Sequence, residues 1–366
     1  MSVFHVTLDT LSPVHIGDGR ELRQDFDFVV HEGHTYLLNE DQLLSAKMDG
    51  LQPDRSGHYP PPGKLLNEQD FKKPEYFHYS LRGAPRSSKT DARIKTFIKD
   101  VYNRPYIPGS SLKGALRTAL AWTGWKEIRP TLDRNAIGRK KSWAGQPLER
   151  KLFGPDPNHD LLRALQVSDL HGMQKPGAGL MLVNAQVLTK RSIGSPIELE
   201  AVAGDKRFTG SLTIDDSLFD ASTERELHFA NRRHWLEELM PRAQAHSHAR
   251  IIKLVEWFEK AEGTEDIARF YRQLAEVKPN PNQALLQVGW GSGWDGKTFW
   301  THLMQNSALF EQLVQEFHMH RAGRNAPPRK AGDDFPRSKR AAIVIKDGIA
   351  RPVAPFGWML VELRPQ

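Results

Sequence analysis

The sequence predicts an α+β fold built on antiparallel sheets, and three observations carry that prediction. Alternating apolar stretches come in adjacent pairs, as at 26–31 and 34–38, and do not interleave one by one with helices. Helical periodicity is concentrated near 112–120 and between about 250 and 318. Strand patterns also close the chain at 341–345 and 358–363. The order of strand, hairpin, helix and further hairpin can be drawn as a split βαβ arrangement. At 366 residues the chain exceeds one small core. With roughly 100–200 residues per domain, it divides at 1–216 and 217–366.

Residues 3–11 alternate well enough for an edge strand, and Ser12–Gly19 follows as a glycine-rich loop. Two strands flank Glu32-Gly33, a two-residue turn. Asn39 or Asp41 is placed to cap a short helix over 41–47. Residues 50–103, rich in proline, glycine and cations (Arg82, Arg86, Lys89, Arg93, Lys95, Lys99), read as an insertion that is part irregular and part short strand. Pro105 and Pro108 hold the next stretch extended. Gly109 and Ser110 then give a turn and a candidate N-cap. In the helix that follows, Leu112, Ala115, Leu116, Ala119 and Leu120 form one apolar face. After a broken basic segment at 126–163 come strands near 167–170 and 180–188. The clearest hairpin pattern is 197–202 with 208–214 around Gly204-Asp205. Helices over 250–263, 265–277 and 298–318 surround a short strand at 284–288.

Charge is unevenly placed. Net charge is +7, but residues 1–49 carry 3 Lys/Arg against 9 Asp/Glu, residues 50–151 carry 21 against 9, and residues 320–351 carry 9 against 3. Two basic blocks in a folded chain are the expected footprint of a polyanion partner, the alternative being two solvated basic loops. No apolar run approaches the ~20 residues needed to span a bilayer, and the opening residues read as a strand, not as a signal peptide. The chain has no cysteine, which excludes disulfides and thiolate zinc sites and fits a cytoplasmic location. No metal or cofactor is called for.

In Gly109-Ser-Ser-Leu-Lys-Gly-Ala-Leu-Arg117, Lys113 and Arg117 share one helical face beside a glycine-serine turn. Gly109, Ser110, Ser111, Lys113 and Arg117 therefore form a candidate phosphate site, with free amides at the helix N-terminus. The same residues also describe a capped amphipathic helix with a basic edge. Gly291-Ser-Gly-Trp-Asp-Gly-Lys-Thr298 satisfies the P-loop pattern, which keeps an NTPase in view. Trp290 and Trp294 are bulky for a phosphate-wrapping loop, and no later strand ends in a metal-holding acid. Gly291, Ser292, Gly293 and Lys297 can still serve an RNA phosphate. Arg337, Lys339 and Arg340 add three cations with no acid among them. His15, in the first glycine loop, is open to structural, RNA-contacting or acid–base roles. His246 and His248 point apart on a helix and read as solvated. Tyr102, Tyr106, Trp122, Trp125 and Trp143 lie among cations, where aromatics stack bases or pack in cores.

Together these motifs resemble the RAMP superfamily of CRISPR type III effector proteins, and within it most closely the fifth-subunit family of the type III-A Csm complex. The residues carrying the resemblance are Leu11–Gly19, the hairpin after it, Pro105–Ala119, Gly289–Trp294, Phe335–Arg340 and Pro355–Leu363, in order along the chain. The resemblance implies two ferredoxin-like (RRM-like) domains, the second divergent. It implies a non-catalytic subunit that binds CRISPR guide RNA near its 3′ end, caps the backbone and assists guide maturation. Its implied partners are guide RNA, target RNA, RAMP backbone subunits, small helical subunits and host ribonucleases, with no membrane. The alternatives left open are a RAMP endoribonuclease using His15 on repeat RNA, and the P-loop NTPase.

Overall fold

Residues 1–49, 51–86, 92–320 and 329–366 are described by the computed structural model. Lys89 and part of the basic 320–340 block lie outside them. The strands are β1 (Ser2–Thr10), β2 (Gly17–Arg23), β3 (Phe28–His31), β4 (His34–Leu38), β5 (Phe77–Arg82), β6 (Arg93–Phe97), β7 (Tyr106–Ile107), β8 (Leu165–Val167), β9 (Leu170–His171), β10 (Leu180–Leu188), β11 (Ile193–Val202), β12 (Arg207–Ile214), β13 (Gln283–Gln287), β14 (Lys339–Lys346), β15 (Ile349–Ala354) and β16 (Trp358–Pro365). The helices are α1 (Glu40–Lys47), α2 (Gly109–Ile128), α3 (Gln146–Phe153), α4 (Ala221–Leu227), α5 (Arg233–Glu237), α6 (Leu239–Glu259), α7 (Glu265–Glu276), α8 (Trp300–Leu303) and α9 (Ser307–Glu316). No described helix is long and apolar enough to cross a membrane.

The mixed α/β architecture rests on two sheets. The first has the order β13-β16-β1-β12-β9-β7, with β8 also on β12, and its described pairings are all antiparallel. A split βαβ unit has two parallel strands kept apart by a third that is antiparallel to both, and β1, α2 and β8 have this arrangement, with β12 between the two strands. β1 is not an edge strand: β12 and β16 bond to its two sides. The second sheet has the order β2-β6-β11-β10-β5-β4-β3, extended by β14 and β15, and contains the parallel contacts β5/β10 and β6/β11. The segment expected as an insertion therefore supplies β5 and β6 to the body of this sheet.

The predicted hairpin at 197–214 does not form. β11 pairs with β10 and β6, whereas β12 pairs with β1 in the other sheet. The chain changes sheets at 203–206, held by hydrogen bonds from the Thr10 amide to the Lys206 carbonyl (2.9 Å) and from the Asp205 amide to the Thr10 carbonyl (2.7 Å). Alternation sets which face a side chain takes, but not which neighbour the strand finds. Strands from both sides of residue 216 enter each sheet, so the expected domain boundary does not separate them. The helix expected over 298–318 is two pieces, α8 and α9, and Asn306 caps the second through its side chain (3.1 Å to the Leu309 amide). The turn at Glu32-Gly33 is as expected: both residues have positive φ, the left-handed geometry a two-residue hairpin turn requires.

The apolar faces of α2 (Leu112, Leu116, Leu120) and α6 (Met240, Ala243) pack with Val6, Leu8, Phe208, Leu212 and Val361 of the first sheet in one core. Further along the same face, in the C-terminal half of α6, Ile251, Leu254 and Phe258 pack with α7 and Trp358.

Candidate nucleic-acid interface

The N-terminus of α2 is already occupied by the protein's own groups. The N-cap is Pro108, not Gly109 or Ser110, and the Gly109 amide donates to Asp169 Oδ1 at 2.8 Å. Glycine is required at 109 for a different reason from a turn. A Cβ there would lie 2.2 Å from the Val167 carbonyl oxygen and 2.5 Å from that of Ser168. Lys113 donates from Nζ to the Leu165 carbonyl (2.7 Å), and partial burial lowers its pKa. Arg117 pairs with Asp160 (2.8 Å) and Glu149 (3.2 Å) and lies over the Phe153 ring, 4.1 Å from its centroid. Ser110 is exposed and Ser111 half-buried. The expectation of free amides and free cations is not met at Gly109 or Arg117: both are engaged by carboxylates.

The two glycine loops meet each other. His15 is 2% exposed, with Nδ1 2.6 Å from the Glu200 carbonyl oxygen, and burial lowers its pKa. Its own carbonyl accepts from the Trp290 amide at 2.8 Å. Gly289 (φ +81°) allows that approach, since a Cβ there would lie 2.5 Å from the same oxygen. A histidine so enclosed does not present a ring nitrogen to a substrate, which removes the structural basis for acid–base catalysis by His15.

Beneath this junction sits Glu200, fully buried on β11 and not singled out by any motif. It accepts from the Tyr79 hydroxyl (2.6 Å) and the Phe97 amide (2.8 Å) and pairs with Lys99. Burial first, and then the Glu200 charge, raise the Tyr79 pKa strongly. The available signal was an acid inside the apolar run Leu199-Glu-Ala-Val202, where an unpaired charge would be too costly.

The second glycine loop is folded on internal partners. Arg250, buried on α6, donates from Nη2 to Gln287 Oε1 (2.7 Å) and to the Ser292 carbonyl (3.2 Å). The Ser292 hydroxyl donates to the Gly289 carbonyl (2.9 Å), and Gly291 (φ +91°) packs under Phe356. Asp295 pairs with Lys339, both largely buried. Among the candidates, Ser292 and Lys339 are therefore structural. The strand before the loop, β13, is antiparallel to β16, and the helix after it has four residues. A P-loop needs a parallel strand and a substantial helix, so the match is one of sequence only. The two helical histidines also differ from expectation in part: His248 is exposed, but His246 is buried beside Trp122, and desolvation lowers its pKa to about 3. Trp125 stacks on His302, and Tyr106 on His171.

What the fold does bring together is a different set. Lys297, Arg337 and Arg340 are exposed and line one cavity of about 940 Å³, joined by Lys141 from the first basic block. None of the four has a carboxylate partner among the described residues, and Arg340 lies over the Trp290 ring at 4.9 Å. The carboxylate on the wall, Glu149, faces Arg117. Among the described residues no three His, Asp or Glu side chains gather to hold a metal ion.

Known proteins share this architecture. A chain in the cryo-EM structure of a Csm–crRNA–target RNA ternary complex of a type III-A CRISPR-Cas system superposes with a TM-score of 0.71 at 22% identity, covering 99% of this chain and 100% of that one. The crystal structure of T. onnurineus Csm5 gives 0.63 at 23% identity, over 96% and 99%. In sequence, the CRISPR system Cms protein Csm5 of Methanocaldococcus jannaschii is 23% identical, covering 98% of this chain and 88% of its own length. The Streptococcus thermophilus protein of the same name is 28% identical over 45% of this chain and 51% of its own. Residues 7–294 match the RAMP superfamily, and on that extent the chain belongs to the RAMP superfamily.

Proposed function

We propose that this chain is a guide-RNA-binding subunit of a type III-A CRISPR effector ribonucleoprotein, capping the backbone at the crRNA 3′ end and assisting guide maturation without cleaving RNA itself. The observation that carries the reading is the convergence of Lys141, Lys297, Arg337 and Arg340 on one concave surface. Cations without acidic partners suit a phosphate backbone, and such contacts position RNA without reading its sequence. The likeness to Csm5 proteins, and to a chain of a complex containing crRNA and target RNA, supports guide and target RNA and neighbouring RAMP and small helical subunits as partners. Host ribonucleases enter as the trimming activity that a non-catalytic cap would recruit. In this reading the two sheets belong to two ferredoxin-like units, the second divergent, and the protein is cytoplasmic.

The test is the triple variant Lys297→Ala, Arg337→Ala, Arg340→Ala, titrated with single-stranded guide RNA at several salt concentrations. Each lost phosphate contact should flatten the dependence of log K on log salt by about 0.7. Guide RNA from complexes assembled without this chain should lack 3′ trimming. An unchanged salt slope in the folded variant overturns the assignment of this surface.

A further inference from the structure

The cavity that the four cations line is too large and too apolar for phosphate alone. Leu148, Phe299, Leu313 and Phe317 line it too, with the aromatic group of Trp294, Phe310 and Phe335. The Phe335 ring stands edge-on to Trp294 (centroids 4.9 Å apart) and to Phe310 (5.4 Å). The volume, about 940 Å³, is at the upper end of the range of small-molecule sites. A polar group is also present inside: His320 lines the cavity, and its Nε2 is buried with no hydrogen-bond partner among the described residues. An apolar lining, aromatic rings, one unmatched polar atom and exposed cations match the parts of a nucleotide: base, ribose and flanking phosphates.

We propose that this cavity takes the base of one unpaired RNA nucleotide, with the adjoining phosphates held at the mouth by Lys141, Lys297, Arg337 and Arg340. The inference rests on the RNA-binding reading above and adds to it a single position at which the base itself matters. Charge complementarity selects RNA over an apolar protein segment, because such a segment has no use for four unpaired cations. Desolvated stacking of one base is worth about 1–3 kcal/mol, which converts to roughly five- to 150-fold in affinity.

The experiment uses the full chain and a set of single-stranded RNA oligonucleotides, each with an abasic ribose at one scanned position and the phosphates intact. One position, and no other, should lose about fivefold or more in affinity with its salt slope unchanged. Ala144→Phe, which projects a ring into the cavity, should bring intact RNA to the affinity of that abasic RNA and make the two indistinguishable. Indifference to every abasic position, with the rim variants still flattening the salt slope, overturns the base pocket and leaves the RNA-binding reading standing. Indifference together with an unchanged salt slope in the rim variants overturns both. The abasic scan is measured on the unaltered protein, so its outcome holds even where Ala144→Phe fails to fold.

Discussion

At Gly109 the side-chain hydrogen is held against the backbone of Val167 and Ser168, while at Gly114, on the same helix, a Cβ would meet nothing within 4 Å. The two glycines should therefore respond oppositely to alanine. Gly109→Ala forces α2 off β8 and should lower stability by about 1–3 kcal/mol. Gly114→Ala removes backbone entropy from the unfolded chain and should raise stability by about 0.5–1 kcal/mol. Thermal unfolding of the two variants separates packing from turn chemistry as the reason for the first glycine. His246 supplies a second residue-scale prediction. Desolvation first, and then the positive charge of Arg250 and the proximity of His302, depress its pKa from 6.5 to about 3. The unfolded state binds a proton that the folded state refuses, so the stability His246 contributes is complete above about pH 6.5 and is lost as pH falls toward 3. His246→Gln should remove one proton's worth of slope, about 1.4 kcal/mol per pH unit, from that window. Chemical denaturation at pH 7, 6, 5 and 4 measures it, and parallel curves for variant and parent would contradict it.

Among the elements, the strand carrying Glu200 joins β5 and β6 through one carboxylate, and the His15 loop through the backbone carbonyl of the same residue. Removing the charge strands Lys99, which is 7% exposed, without its counter-ion. Glu200→Gln should lose about 3–5 kcal/mol, and most of it should return in the double variant with Lys99→Met, which removes the stranded charge. Urea midpoints decide this: equal losses in single and double variants would mean that the bonds from Tyr79 and Phe97 matter more than the ion pair. The same strand shows where sequence reading succeeds and where it stops. The existence and pairing face of β11 and β12 were legible from alternation, because burial has a period of two. Their assignment to different sheets was not, because the decisive bonds come from Thr10, nearly 200 residues away. Likewise α2 and its apolar face were legible. That Lys113 and Arg117 turn toward β8 and α3 was not, since Asp160 and Glu149 are distant in sequence and nothing local distinguishes a paired cation from a free one.

Over the whole molecule, charge bookkeeping located the right blocks but not the right residues. One cation of 138–141, Lys141, and two of 337–340, Arg337 and Arg340, do line one surface, with Lys297 contributed by a loop that its sequence misrepresents as a nucleotide site. The cavity among them was illegible, because its aromatic walls come from segments with no shared pattern. The sheets also argue against cutting the chain at residue 216. Fragments 1–216 and 217–366 would separate β1 from β16 and β10 from β14, leaving open strand edges on both pieces. Expressed apart, each should be aggregated or lack cooperative unfolding, and co-expression should recover a soluble pair. A fragment with a sharp melting transition of its own would restore the boundary.

The register Thr10↔Met359 through Phe4↔Pro365 sets a schedule for the chain's birth. One side of β1 waits for β12, but the other waits for residues that follow it by some 350 positions. At about 5–20 residues per second of synthesis, that edge stays open for roughly 20–70 s on the ribosome. Throughout that interval a nascent strand with bare amides and carbonyls is available to other chains, so the yield of folded protein should depend on translation speed and on whatever shields β1 until its last partner emerges.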